Sequence, residues 1–124
     1  MRSPNPESGG LTVVEALPLL SAPISATVDR IREVVGDDLA YITFDIDFLD
    51  PAFAPGTGTP VCGGASTFQA RQLLHGLAGM NIVGADIVEI APPYDPAGVT
   101  ALASATLAYD LLTLIALGRE RRGS

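Results

Sequence analysis

The sequence predicts an α/β fold in which helices cover a parallel sheet. Two observations support this prediction. Short apolar, β-branched runs alternate with longer segments whose apolar residues recur at helical spacing, and loops rich in Pro and Gly separate them. Such alternation is typical of βαβ units, in which a helix crosses over between parallel strands. The 124 residues, 48% of them hydrophobic, suffice for one domain at most.

The first half of the chain predicts two strands and one helix. Residues 1–10 are rich in Pro, Ser and Gly and are expected to form a flexible lead-in. Residues 11–14 are a short β-branched run and predict the first strand. Apolar residues at helical spacing predict a helix over residues 25–35, which Gly36 ends, and residues 39–44 predict a buried strand.

The second half predicts helix, strand and helix. Ser66 or Thr67 can cap a helix that continues to Leu77. A strand over residues 82–90 follows, and the loop APPYDPAG leads to a long apolar helix over residues 99–117. Three strands would leave both sheet edges open, and the last helix is apolar around much of its circumference. We therefore expect self-association, or further protein that covers these surfaces.

Composition excludes several classes of partner. The net charge is -7, with seven arginines and no lysine, which argues against binding to nucleic acid or to an anionic membrane. The basic cluster Arg119, Arg121 and Arg122 is interpreted as a solvated helix end. The N-terminus lacks the pattern of a signal peptide, and we expect no apolar run long enough to span a bilayer. The single cysteine, Cys62, excludes an internal disulfide and fits a cytoplasmic location.

Carboxylates at the end of the second strand are the strongest functional signal. If the strand continues through them, Asp45 and Asp47 share one face, with Cα atoms roughly 6 to 7 Å apart. At an effective dielectric constant near 20 their repulsion is about 2.5 kcal/mol. A bound divalent cation or a proton would relieve this repulsion, and ligands of parallel sheets bind beyond the carboxyl ends of strands. The pair therefore predicts a metal site.

Other interpretations of these aspartates fit less well. An EF-hand loop counted from Asp45 lacks its Gly and its final Glu, and a phosphatase of the haloacid-dehalogenase type requires a lysine that the chain lacks. The aspartates could instead only cap the loop by accepting backbone hydrogen bonds. For Asp50, which precedes Pro51, this structural role is the expected one.

The motif FDIDFLDPAFAPGTGTP resembles the ureohydrolases, the family of arginase and agmatinase. The similarity continues through GLAGMNIVGADIVEIAPPYDPAG into ALASATLAYDLL, and the wording VEIAPPYD is closer to agmatinases. The resemblance implies a three-layer αβα fold, two Mn²⁺ ions, and hydrolysis of a small guanidino substrate, such as agmatine, to urea and an amine, putrescine in that case. It also implies that the chain is a homo-oligomer.

The resemblance also assigns roles to individual residues. Asp45 would bridge the two metals and Asp47 would ligate one of them. Thr59 would lie in the substrate loop, and Glu89 would accept hydrogen bonds from the substrate's guanidinium, to which a carboxylate is well matched. His75, on the predicted helix before the last strand, is expected to be a surface residue and not a ligand.

The family's other ligands, a His and an Asp-Ala-His-x-Asp motif, precede the part of the family that this sequence resembles. Residues 11–124 are therefore interpreted as the C-terminal part of a single ureohydrolase domain. Alone, two aspartates should hold Mn²⁺ weakly. Two hypotheses remain open: the residues belong to a hydrolase, either as its C-terminal fragment or completed by another polypeptide, or the chain is a non-catalytic remnant or interaction module that lacks a complete metal site.

Overall fold

The computed structural model describes residues 10–123, which form four helices and two strands. In chain order these elements are α1 (Ala16–Ser21), α2 (Ile24–Val35), β1 (Ala40–Asp45), α3 (Thr67–Gly76), β2 (Ile82–Val88) and α4 (Val99–Arg121). Single 3-10 turns follow β1 (Ile46–Phe48) and precede α4 (Pro92–Tyr94 and Pro96–Gly98). Residues 1–9 of the expected lead-in lie outside the described residues.

The strand expected over residues 11–14 is wrong, and the short helix α1 was not expected. Among residues 10–123 the sheet consists of β1 and β2 alone, so residues 11–14 have no hydrogen-bonded ladder to join. Val14 still packs partly against the core, so the β-branched run reflects burial and not pairing.

The two strands are parallel, with α3 in the crossover between them, as the βαβ pattern predicts. Their register pairs Tyr41 with Gly84 and ends where Asp45 faces Val88. Glu89 is the next residue after β2. The carboxyl ends of both strands therefore bring Asp45 and Glu89 to the same edge of the sheet.

Helix α3 begins as its local sequence predicts and ends at Gly76, one residue before the predicted end at Leu77. The Ser66 side chain accepts a hydrogen bond from the Gln69 amide at 3.0 Å, and the Gln69 side chain accepts from the Ser66 amide at 2.9 Å, which forms a capping box. At the other end, the Arg32 guanidinium of α2 donates to the carbonyls of Gly76 and Ala78. A cation at a helix C-terminus is favourable, so this contact joins α2 to α3.

Helix α4 is the largest element of the core. It packs against β2 and α3, and Leu107, Leu111 and Leu114 are buried. The expectation that no segment could span a bilayer is wrong by length and composition, since Pro96–Arg121 is long and apolar enough. Its contacts with the sheet are those of a core helix, in which the same composition is common.

Both edges of the two-stranded sheet border apolar clefts. A cleft of about 650 Å³ lies beside β1 and α3, and another of about 440 Å³ lies between β2 and α4. The outer side of α4 adds Leu102 and Tyr109, which are 71% and 72% exposed. Exposed apolar surface on this scale is typical of faces that other protein covers, as the sequence led us to expect.

Candidate metal and substrate site

Asp45 and Asp47 lie close together, but not for the reason that strand periodicity suggests. β1 ends at Asp45, and Asp47 belongs to the 3-10 turn that follows. The turn brings the Asp47 amide to the Asp45 side chain, where it donates to Oδ1 at 3.0 Å. Asp45 thus caps the turn, as the structural interpretation allows, and this bond keeps the two carboxylates adjacent.

The pKa of Asp45 is raised from its ordinary value. Burial is the largest cause, and the neighbouring charges of Asp47 and Glu89 add to it, while the hydrogen bond from the Asp47 amide opposes it. Three carboxylates therefore interact at the end of the sheet. A site of this kind favours a cation.

Thr59 contacts Asp47 directly. It lies twelve residues further along the chain, in the loop after β1, and its hydroxyl donates to Asp47 Oδ2 at 3.0 Å. A hydrogen bond of this kind to a carboxylate fixes the direction of the oxygens that remain for a ligand. The sequence predicted that Thr59 belongs to the substrate loop, but not this contact.

Glu89 has an unusual backbone conformation. Its φ is +69°, in the left-handed region that residues other than Gly rarely adopt. Such a conformation costs on the order of 1 kcal/mol and is common at functional sites. It turns the chain sharply at the end of β2, beside the Asp45 carboxylate.

Asp50 has the structural role that the sequence predicts. Its carboxylate accepts hydrogen bonds from the amides of Ala52 and Gly63 at 2.9 and 2.8 Å, and these bonds lower its pKa. The bond to Gly63 closes the long loop back onto the end of β1. Cys62, next to Gly63, is exposed and free.

His75 is 60% exposed on α3, as expected, but it has a partner that the sequence did not reveal. Its Nε2 lies 3.0 Å from Oδ1 of Asp110, which is buried in α4, and Arg71 donates to the same carboxylate. The three side chains join α3 to α4, and contribute no ligand to the carboxylate site.

A second network, also missed, ties together the loops that follow β1 and β2. The Gly56 amide donates to the buried hydroxyl of Thr100 at 2.7 Å, and the Gly56 carbonyl accepts from the Ala91 amide at 2.7 Å. Asp95 accepts from the amides of Thr100 and Ala101 at the start of α4. An aspartate shortly before an apolar helix is a signal for such a cap, but the partner Gly56 is distant in sequence.

The donors present fit part of a site for a hard divalent cation. Carboxylate oxygens are the ligands that Mn²⁺ and Mg²⁺ prefer, and Asp45 and Asp47 offer them on one short turn. Within residues 10–123, no group of three or more His, Cys, Asp or Glu side chains is arranged to hold a metal ion. A complete coordination shell therefore needs ligands in addition to these two.

The chain is similar to known proteins both in sequence and in structure. The model of the arginase family matches residues 5–113. The chain is 49% identical over 112 residues to guanidinopropionase of Pseudomonas aeruginosa and 51% identical over 106 residues to agmatinase of Cronobacter sakazakii. These alignments cover 90% and 86% of this chain, and 35% of each relative.

Solved structures confirm the α/β fold. A hypothetical agmatinase from Burkholderia thailandensis superposes with a TM-score of 0.85 at 48% identity, covering 100% of this chain and 39% of that one. Proclavaminate amidino hydrolase from Streptomyces clavuligerus gives a TM-score of 0.86 at 38% identity, covering 90% and 37%. The chain spans about a third of the length of the curated relatives that it matches. On the family match and these structural likenesses, the chain belongs to the arginase family.

Proposed function

We propose that this chain contributes part of the active site of a manganese-dependent hydrolase that cleaves a guanidino C–N bond. The observation that supports the proposal most strongly is the grouping of carboxylates at the carboxyl ends of β1 and β2, where Asp45 interacts with Asp47 and Glu89. Relatives named guanidinopropionase and agmatinase support a small guanidino substrate such as agmatine.

The residues divide into two roles. Asp45 and Asp47 would hold Mn²⁺ through their oxygens, and Thr59 would keep the Asp47 carboxylate in position through its hydrogen bond. Glu89 would accept hydrogen bonds from the planar guanidinium, which a carboxylate pairs with well. Bound Mn²⁺ would supply a water molecule made acidic enough to act as hydroxide near neutral pH. The excess negative charge at the site would attract the cationic substrate.

We further propose that other protein completes the site. Two carboxylates leave most of a six-ligand shell to water or to other residues, so the chain alone should bind Mn²⁺ weakly and be inactive. The apolar clefts at both sheet edges are where the completing protein would pack. A homo-oligomer in the cytoplasm remains part of the proposal.

The exposed apolar surface also favours the second candidate function, an interaction module without catalysis. The clefts beside β1 and β2 and the outer side of α4 would mediate association whether or not the carboxylates bind metal. Sedimentation velocity of the purified chain tests this surface directly: we expect self-association, and a monomer at all concentrations would contradict it.

Mn²⁺ binding and urea release separate the two candidates. Titration followed by the electron paramagnetic resonance of free Mn²⁺ should reveal weak binding that Asp47→Ala removes. The control Asp29→Ala deletes an exposed carboxylate on α2 and should leave binding unchanged. Urea from agmatine or guanidinopropionate should appear only when completing protein is supplied. Equal Mn²⁺ binding by the Asp47→Ala and Asp29→Ala variants would favour the interaction module.

A further inference from the structure

We infer that Thr100 is a positioning residue for the carboxylate site, an inference that rests on the proposed function. Thr100 lies in the first turn of α4, is 0% exposed, and touches none of the four site residues through the hydrogen bonds of its side chain. It acts through Gly56, which lies in the loop that follows β1. The bond from the Gly56 amide to the Thr100 hydroxyl holds this loop against the start of α4. We call this contact, together with the bond from Ala91 to Gly56, the Gly56 clamp.

The clamp fixes both backbone groups of one glycine. The Gly56 amide donates to Thr100 Oγ1 at 2.7 Å, and the Gly56 carbonyl accepts from the Ala91 amide at 2.7 Å. The Asp95 carboxylate accepts a hydrogen bond from the Thr100 amide at 2.7 Å. Thr100 therefore holds the loop amide through its hydroxyl and is itself held at the start of α4 by Asp95 through its backbone amide.

Space at the clamp is as restricted as its hydrogen bonding. A Cβ atom on Gly56 would lie 2.7 Å from Asp95 Cβ and 2.8 Å from Thr100 Oγ1, closer than packed atoms approach. The backbone of the loop is therefore pressed against the start of α4. Only glycine allows this approach, and the loop cannot shift toward the helix.

Each side of the clamp leads to a proposed site residue within a few positions. Thr59 follows Gly56 by three residues and donates to Asp47. Glu89 precedes Ala91 by two residues and has a positive φ. The clamp thus sets the distance between the loop whose Thr59 holds the metal ligand Asp47 and the end of β2, where Glu89 would receive the guanidinium. A strained residue such as Glu89 keeps its conformation only when its surroundings hold it.

Three variants test this inference. Thr100→Val removes the hydroxyl while keeping the shape, Thr100→Ser keeps the hydroxyl, and Ser104→Ala removes another buried hydroxyl of α4, which bonds only within the helix at the Thr100 carbonyl. Gly56→Ala disturbs the same contact from the side of the loop, and it replaces Thr100→Val in the experiment if that variant does not fold. The full chain, labelled with ¹⁵N, is studied by nuclear magnetic resonance.

Hydrogen exchange without metal measures the clamp itself. We expect exchange of the Gly56 amide to accelerate at least tenfold in Thr100→Val relative to Ser104→Ala, with the Thr59 and Ala91 signals shifted and with wild-type behaviour in Thr100→Ser. Equal acceleration in Thr100→Val and Ser104→Ala would overturn the inference, because the hydroxyl would then matter only for the stability of α4.

Adding Mn²⁺ to the labelled chain tests whether the Gly56 clamp positions the residues of the carboxylate site. Paramagnetic broadening should reach the amides of Asp47, Thr59 and Glu89 in the wild type. In Thr100→Val it should persist at Asp47 and fall at least twofold at Thr59 and Glu89. Unchanged broadening at all three would overturn the positioning role. Wild-type chain that shows no broadening at Asp47 would overturn the proposed function, and hydrogen exchange would still decide whether the clamp exists.

Discussion

Replacing Asp47 by Asn should stabilise the metal-free chain and remove its response to Mn²⁺. The substitution changes little except charge. The Asp47 amide still donates to Asp45, and an amide oxygen can still accept from Thr59. Removing one of two like charges that lie side by side relieves a repulsion of roughly a few kcal/mol at an effective dielectric constant near 20. Because the site is partly exposed, screening reduces the expected gain to about 1 kcal/mol.

The stability gained by Asp47→Asn should increase as the pH rises. The raised pKa of Asp45 means that the folded chain holds its proton more tightly than the unfolded chain does. Stability is therefore lost as pH rises from the ordinary Asp value, about 3.9, through the raised folded value. Asp47→Asn removes one cause of the raised pKa of Asp45. The stability that it gains over wild type should therefore be small at pH 4 and complete near pH 7.

Urea denaturation followed by circular dichroism, in EDTA and in millimolar Mn²⁺, measures both effects. Mn²⁺ should raise the unfolding midpoint of the wild type and leave that of Asp47→Asn unchanged, because ligands that bind only the folded state stabilise it. An Asp47→Asn chain less stable than wild type in EDTA at pH 7 would show that the aspartate stabilises the fold and is not kept for a ligand.

Three further predictions test individual contacts. Glu89→Gly should be more stable than Glu89→Ala by about 1 kcal/mol, since only glycine relieves the positive φ; equal denaturation midpoints would argue against strain. Asp110→Ala should cost about 3 kcal/mol, and a double-mutant cycle with Arg71→Ala should give a coupling of about 1 kcal/mol, reduced because Arg71 is 42% exposed; zero coupling would contradict the ion pair. Gly118→Ala should cost about 2 kcal/mol by thermal unfolding, because its Cβ would lie 2.6 Å from the Ile82 carbonyl oxygen, and an unchanged midpoint would show that the packing is looser.

Features that depend on neighbouring residues could be predicted from the sequence, whereas those that depend on distant partners could not. The capping box of Ser66 and Gln69 is complete within four residues, so the start of α3 was predicted correctly. Residues 11–14 have the composition of a strand, but a strand also requires a partner, which lies nowhere among residues 10–123.

The candidate site shows the same difference between local and distant contacts. Proximity of Asp45 and Asp47 was predicted from their spacing, but the turn that produces it depends on a hydrogen bond that periodicity does not reveal. The bond from Thr59 to Asp47 spans twelve residues and that from Gly56 to Thr100 spans forty-four. Contacts at such separations have no local signature in the sequence.

Urea release by a chimera tests most directly whether these carboxylates belong to a guanidino hydrolase site. In the chimera, this chain replaces the 112 aligned residues of Pseudomonas aeruginosa guanidinopropionase, so that the rest of that enzyme completes the domain. We expect Mn²⁺-dependent release of urea from guanidinopropionate, lost in Asp47→Ala and in Glu89→Ala and retained in Asp29→Ala. A folded chimera that releases no urea, or one whose activity survives Asp47→Ala, would contradict the claim that these carboxylates belong to a guanidino hydrolase site.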